Sequence, residues 1–356
     1  MTPEPTPAPH RRLVLVTGAG RSGTSTVAGA LHHLGLHVPL PVLKANESNP
    51  LGFFESWWPV RFHKRLFDLA NVEQTDNRPE ALKAVKAAID EGHRERLRGW
   101  LTGVMAESEQ VVVKDPRSVF VTRLWTDAAV ETGTDISFVT MLRHPAEVVG
   151  SRSTYYGAGR DARKFAIGNL AAWVNVNLTV ERETRGQRRA VVRYNDLLED
   201  WRGVMHDVAQ SCQLDLGNAL TGETHPVDDF IDPKLRRHEP SWDGLDLPAD
   251  LVEVAEAVYA AMSRLAETLG SDAAAESEFG LLTQRYTKII RNAQALSQDT
   301  LRVAVRNDRR KQRALLEADP EWVRRDDVLW SARINRAARR RVPEPVKRVV
   351  RKARGH

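Results

Sequence analysis

Val14-Leu-Val-Thr-Gly-Ala-Gly-Arg-Ser-Gly-Thr-Ser25 carries an apolar run into a glycine-rich turn and out again into a helical pattern. Leu13 to Val16 read as a buried strand, Gly18, Gly20 and Gly23 permit tight backbone geometry, and Thr24 to Leu34 holds alanines and leucines compatible with a helix. Such a turn aims backbone N–H groups and the positive end of a helix dipole at one point. Arg21 adds a formal charge, while Ser22, Thr24 and Ser25 add hydroxyl donors, so the expected ligand is an oligo-anion. From Gly18 to Ser25 the chain matches GxxxxGK[ST] at every fixed position except the lysine, whose place is taken by Thr24. That lysine normally reaches the β- and γ-phosphates of a nucleoside triphosphate, so its absence argues against an ATPase or kinase.

Working outward from the loop, the chain alternates between strand and helix patterns. Val111 to Val113 is a short β-branched run that ends at Lys114-Asp115-Pro116-Arg117. Ile136 to Leu142 is a second buried strand, closed by Arg143-His144-Pro145, and Ala190 to Arg193 a third. Between them Asp76 to Trp100, Arg163 to Thr184 and Leu197 to Gln210 read as helices, and from Pro248 onward only helices are expected, among them a long arginine-studded pattern from Leu281 to Leu316. This order predicts an α/β fold, a central parallel sheet flanked by helices, with ligand groups at the carboxyl ends of the strands.

Composition sets the outer limits. At 356 residues, 42% apolar and 28% charged, the chain can bury a proper core as one large or two modest domains. A single cysteine, Cys212, excludes an internal disulfide framework and any multi-cysteine metal site, and fits a reducing compartment. No stretch approaches the roughly 18 to 20 apolar residues of a membrane span, and Met1 to His10 is proline-rich and polar, so a cytoplasmic protein is expected. The net charge of +5 is unevenly placed: residues 331–356 hold ten Lys or Arg against Glu344, a local charge of +9, which leaves −4 for the rest. Nucleic-acid binding by the main body is therefore poorly supported.

A second anion signature closes the Ile136 strand. In Arg143-His-Pro-Ala-Glu-Val-Val-Gly-Ser151 the arginine leaves the strand end and the serine points back from the first turns of the next helix, so both can grip one phosphate. Alone, such a pair is more often a surface contact. Together with Arg21-Ser-Gly-Thr-Ser25 it resembles the sulfotransferases that use 3′-phosphoadenosine 5′-phosphosulfate (PAPS). Four further stretches are similar to bacterial members and occur in family order: Asn49-Pro-Leu-Gly-Phe-Phe-Glu55, Val113-Lys-Asp-Pro-Arg117, Val192-Arg-Tyr-Asn-Asp-Leu-Leu198 and Ile231-Asp-Pro-Lys-Leu-Arg-Arg237.

The resemblance implies a P-loop nucleotide-kinase-like sulfotransferase fold and a PAPS donor, with no metal required. It implies that Gly20, Arg21, Ser22, Gly23, Thr24 and Ser25 bind the 5′-phosphosulfate, that Arg143 and Ser151 bind the 3′-phosphate, that Tyr194 touches the adenine, and that Arg236 or Arg237 closes over the 3′-phosphate. Lys114 would hold the oxygens of the transferring sulfuryl group. Cytosolic steroid and phenol sulfotransferases have a histidine base where Lys114 stands, whereas bacterial and heparan-type relatives use a glutamate shortly after the phosphate-loop helix, and the resemblance implies that Glu55 is its counterpart. Arg21 replaces the loop's usual lysine, keeping the charge and adding a planar fork. On this reading residues 1–11 are a disordered leader, 12–270 the sulfotransferase domain and 271–356 a helical, basic extension. The acceptor would be a hydroxyl on a glycan, glycolipid or small metabolite.

Other readings remain open from the residues alone. Val111 to Asp115 also has the form of a Walker B strand whose aspartate holds magnesium, which keeps a P-loop kinase or NTPase as the alternative. His63 and His144 are weaker candidates for the base, and Phe53, Phe54, Trp57 and Trp58 form either an acceptor floor or plain core. In the tail, Val346, Val349, Val350 and Ala353 fall at helical spacing opposite Lys347, Arg348, Arg351 and Lys352. That pattern suits peripheral contact with an anionic membrane surface, and a non-catalytic docking module is the third reading.

Overall fold

A computed structural model of the chain describes residues 11–47, 49–231 and 240–318, with the side chains of 315–318 excepted. In chain order the elements are β1 (Arg12–Gly18), α1 (Thr24–His33), α2 (Trp57–Ala70), α3 (Ala81–Ala88), α4 (Glu91–Glu107), β2 (Gln110–Lys114), a 3-10 turn (Pro116–Phe120), α5 (Thr122–Glu131), β3 (Asp135–Leu142), α6 (Pro145–Tyr156), α7 (Ala162–Thr184), β4 (Arg189–Arg193), α8 (Tyr194–Glu199), α9 (Trp201–Cys212), α10 (Pro226–Phe230), α11 (Ala249–Glu267) and α12 (Ala273–Ala318). The four strands pair in parallel in the order β2-β1-β3-β4. The anion loop thus leaves the sheet where the chain turns first to one side, to β2, and then back across to β3. This reversal opens a crevice above the carboxyl ends of the strands.

Period-two alternation on β1 divides the interior into two layers. Leu13 and Leu15 face a cluster built with residues of α2 to α5, α7, α11 and the first turns of α12, whereas Val14 and Val16 face α1, α8, α9 and α10. Leu13, Val14 and Leu15 are fully buried, each worth roughly 1.5–3 kcal/mol relative to exposure. Cys212 sits in the second layer, where burial pushes its thiol up to about 11, so it is inert packing.

Two expected helices are broken, each at an aspartate that caps the next segment. The Asp76 to Trp100 pattern splits at Ile89, and Asp90 accepts from the His93 N–H to start α4. Likewise Asp200 accepts from the Gly203 N–H and divides α8 from α9. One compact unit spans residues 1–291, so it includes Phe279, Leu282 and Tyr286 of α12, which are buried. The Tyr286 hydroxyl donates to the carbonyls of Asn77 at 2.6 Å and Ala171 at 2.8 Å, tying the start of α12 to the core. The second unit begins at Asn292. Among the described residues no helix is long and apolar enough to cross a membrane. Residues 1–10, Arg236, Arg237 and the basic stretch 331–356 lie outside the described residues.

Candidate active site

All four strand ends deliver residues to one cleft of about 560 Å³. The loop after β1 brings Gly20, Arg21 and Gly23 to Thr26, the end of β2 brings Lys114 and Arg117, the end of β3 and its helix bring Arg143, Ser151 and Arg152, and the end of β4 brings Tyr194. Asn49 to Phe53 and Glu55, from the segment before α2, close another side. Six of the lining residues are Arg or Lys and two are Glu, a balance that suits a ligand carrying several negative charges.

The loop geometry explains its glycines and one of its costs. Gly18 has φ +128°, and a Cβ there would lie 2.6 Å from the Met141 carbonyl oxygen of the neighbouring strand. Gly23 caps α1 with φ +92°, and a Cβ would come within 2.3 Å of the Tyr194 ring. Arg21 adopts φ +75°, an uncommon conformation for a residue with a side chain. Helix α1 starts with no side-chain cap and no acid in its first turn, so its leading N–H groups and dipole serve whatever anion enters the loop.

The two anion signatures meet. Arg21 Nε donates to Ser151 Oγ at 3.2 Å, and Arg143 Nη1 reaches the Arg21 carbonyl at 3.4 Å, joining segments more than a hundred residues apart. Arg143 is buried, donates through Nε to Glu147 Oε2 at 2.6 Å and lies 4.6 Å over the Tyr194 ring. Its Nη2 is buried with no partner, and so is Ser22 Oγ. Unmet donors of this kind inside a cationic cleft fit an incoming phosphate. Burial raises the Tyr194 phenol above its ordinary value despite the Arg143 charge and a hydrogen bond with Thr26, so it stays a neutral hydroxyl on a flat face.

At the other end of the cleft Lys114 and Glu55 are paired. Lys114 Nζ lies 2.5 Å from Glu55 Oε1 and 3.1 Å from Ser25 Oγ, with both charged residues buried. Asn49 Nδ2 also donates to Ser25 Oγ, at 3.0 Å. With two donors aimed at its oxygen, the Ser25 hydroxyl is left to donate. Asn49 opens one of the family-like stretches but had no assigned role; the Asn46–Asn49 turn and a bond from its Nδ2 to the Gly52 carbonyl at 2.7 Å hold it there.

The Walker B alternative is corrected by the surroundings of Asp115. Its Oδ2 accepts from His63 Nδ1 at 2.8 Å, and its Oδ1 accepts from the backbone N–H and Nη1 of Arg117 at 3.0 and 2.9 Å. Burial alone would raise this carboxyl, but the His63 hydrogen bond and the Arg117 contacts hold it well below the usual range. Both oxygens are engaged in shaping the turn, and none is presented to a cation. His63 is equally committed: Trp125 Nε1 donates to its Nε2 at 2.9 Å, which leaves the ring proton on Nδ1 and no lone pair for a substrate. His144 packs on Tyr259 and lies 3.2 Å from Glu256, away from the cleft lining. Of the aromatic candidates, Trp58 stacks between Phe62 and Trp100 as core, whereas Phe53 lines the cleft with Lys114 Nζ 6.0 Å above its ring.

The cleft lies at the carboxyl ends of a parallel sheet flanked by helices and is lined mainly by cations. The sequence model of the Sulfotransferase family matches residues 14–218, and the chain belongs to that family. Two solved structures are similar. The sulfotransferase domain from the Synechococcus PCC 7002 olefin synthase aligns at 20% identity and TM-score 0.40, covering 76% of this chain and 98% of that one. The sulfotransferase domain from the curacin biosynthetic pathway aligns at 16% identity and TM-score 0.38, covering 72% of this chain and 99% of that one. No curated protein matches.

Proposed function

We propose that the protein transfers a sulfuryl group from PAPS to a hydroxyl of its acceptor. The observation that carries this reading is the meeting of two anion-binding elements: Arg21 at Ser151, and Arg143 behind them with an unmet buried N–H. A ligand with one phosphate would use the loop alone; a nucleotide with a second phosphate uses both. PAPS supplies an activated sulfuryl group whose leaving phosphate departs readily.

The chain's own residues then divide the work. The α1 N–H groups, Arg21 and the hydroxyls of Thr24 and Ser25 hold the 5′ end and receive charge on the bridging oxygen. Arg143 and Ser151 fix the 3′-phosphate, and Tyr194 provides a face for the base. Lys114 stands between Ser25 and Glu55 and neutralises the oxygens of the group in transit. Glu55 accepts the acceptor's proton at Oε2, the oxygen that Lys114 does not hold. Arg236 or Arg237, which lie outside the described residues, would close over the 3′-phosphate in this proposal.

Titration calorimetry with adenosine 3′,5′-bisphosphate, adenosine 5′-phosphate and ATP tests the reading. The bisphosphate is expected to bind at least about tenfold more tightly than the monophosphate, as one charged hydrogen bond would give, and without magnesium. Equal affinity for the two adenosine phosphates, or tight binding only of magnesium-ATP, overturns it.

A further inference from the structure

The nucleotide accounts for Arg21, Arg143 and Lys114, and Asp115 engages Arg117, but the same cleft holds two further arginines, Arg152 and Arg160, on the side formed by α6 and the start of α7. Arg152 is fixed rather than loose. Its Nε donates to Oδ1 of Asn169, and Asn169, itself buried, is held in turn by a bond from Nδ2 to the Phe165 carbonyl at 2.7 Å. The Arg152 guanidinium lies 5.5 Å over Tyr156 and that of Arg160 lies 5.0 Å over Phe165. Among the described residues neither arginine forms an ion pair. Glu73 lines the same cleft and pairs with neither.

Such a cluster is costly to assemble. Burial lowers Arg152 from its ordinary value, and the nearby charges of Arg21 and Arg160 lower it further. Arg152 is half-buried and Arg160 exposed, and a pre-oriented guanidinium beside like charge is the arrangement that recognises a planar or tetrahedral oxyanion. Resting on the sulfuryl-transfer reading above, we propose that Arg152 and Arg160 form a second anion subsite that receives a carboxylate, phosphate or sulfate group borne by the acceptor. The substrate class is then an anionic alcohol.

Calorimetry on the protein saturated with adenosine 3′,5′-bisphosphate tests this with three shape-matched probes: glucose, glucuronate and glucose 6-phosphate. The native protein is expected to bind at least one anionic sugar about tenfold or more tightly than glucose, the scale of one charged hydrogen bond. The arms distinguish carboxylate from phosphate. The double variant Arg152→Gln, Arg160→Gln retains a donor for Asn169; it should lose this preference while keeping its melting temperature and its affinity for the bisphosphate. No preference in the native protein, absent binding included, overturns the proposal, as does a preference that survives in the double variant. A parallel loss of bisphosphate affinity overturns it too, since the arginines would then belong to the donor's site. Failure of the native protein to bind the bisphosphate in the first titration is a separate result that removes the sulfuryl-transfer reading and this proposal with it.

Discussion

The two ends of the cleft each contain a buried cation beside a buried glutamate, and they differ in what the cation has left over. Arg143 satisfies Glu147 through Nε and still has Nη1 on the Arg21 carbonyl and Nη2 unmet. Its fork is rigid, so one edge holds the protein together while the other waits for a ligand. Lys114 is a point charge on a flexible stem, shared between Glu55 and Ser25. What that end has left over is Glu55 Oε2 and the Ser25 proton rather than a cation's N–H. A fixed pair suits a phosphate that only needs to be held, and a shared pair suits the end where charge moves during transfer.

The largest effect is expected at the shared pair. Glu55→Gln keeps the shape and a carbonyl oxygen for Lys114 but cannot take a proton. Formation of adenosine bisphosphate from PAPS with an accepted alcohol should fall roughly 10² to 10⁴-fold while bisphosphate affinity holds. Near-native turnover would mean that the two ends do not differ in the way argued and that the base lies on the substrate.

The legibility of these two ends in the sequence was unequal for a physical reason. The loop and the Arg143 to Ser151 segment announce themselves because their chemistry is local: glycines, a basic residue and hydroxyls within one strand-to-helix turn. Glu147 could have been read too, since it lies four residues beyond Arg143, just across the strand-to-helix turn. The Lys114–Glu55 pair spans 59 residues and depends on how the segment before α2 folds over the sheet, which no periodicity reports. His63, a weaker candidate for the base in the sequence, is a satisfied core residue held by Asp115 and Trp125. The Asp90 and Asp200 breaks were visible as capping residues but were outweighed by the continuous helical pattern around them.

At the fixed pair, Arg143→Ala is expected to cost about 3–5 kcal/mol of stability, because Glu147 is left charged and buried without its cation. Chemical denaturation checks this. Adding Glu147→Gln should recover much of the loss, yet discrimination between adenosine bisphosphate and monophosphate should stay lost. A double variant that regains discrimination would show that the arginine is purely structural. Gly23→Ala probes the cradle between the ends: the added methyl meets the Tyr194 ring at a φ that disfavours side chains. A loss of about 1–3 kcal/mol, with weaker nucleotide binding, is expected. An unchanged melting temperature would show that the ring can withdraw and that its contact with the loop is loose.

The smallest effect sharpens the comparison with a third pair that faces away from ligand altogether. Asp115 is held by His63 and Arg117, and these contacts outweigh burial to bring its carboxyl to about 2. A folded value below the unfolded one, near 3.9, means that its contribution is complete above about pH 4 and is lost as pH falls through the folded value. The difference in melting temperature between the native protein and Asp115→Asn should therefore be constant from pH 7 to about pH 4 and shrink between about pH 4 and about pH 2. If the gap instead closes near neutral pH, the pH dependence does not belong to the Asp115 carboxylate, which overturns the argument from its contacts. Either result bears on the cleft, because Asp115 follows Lys114 directly and caps the turn next to the lysine of the shared pair.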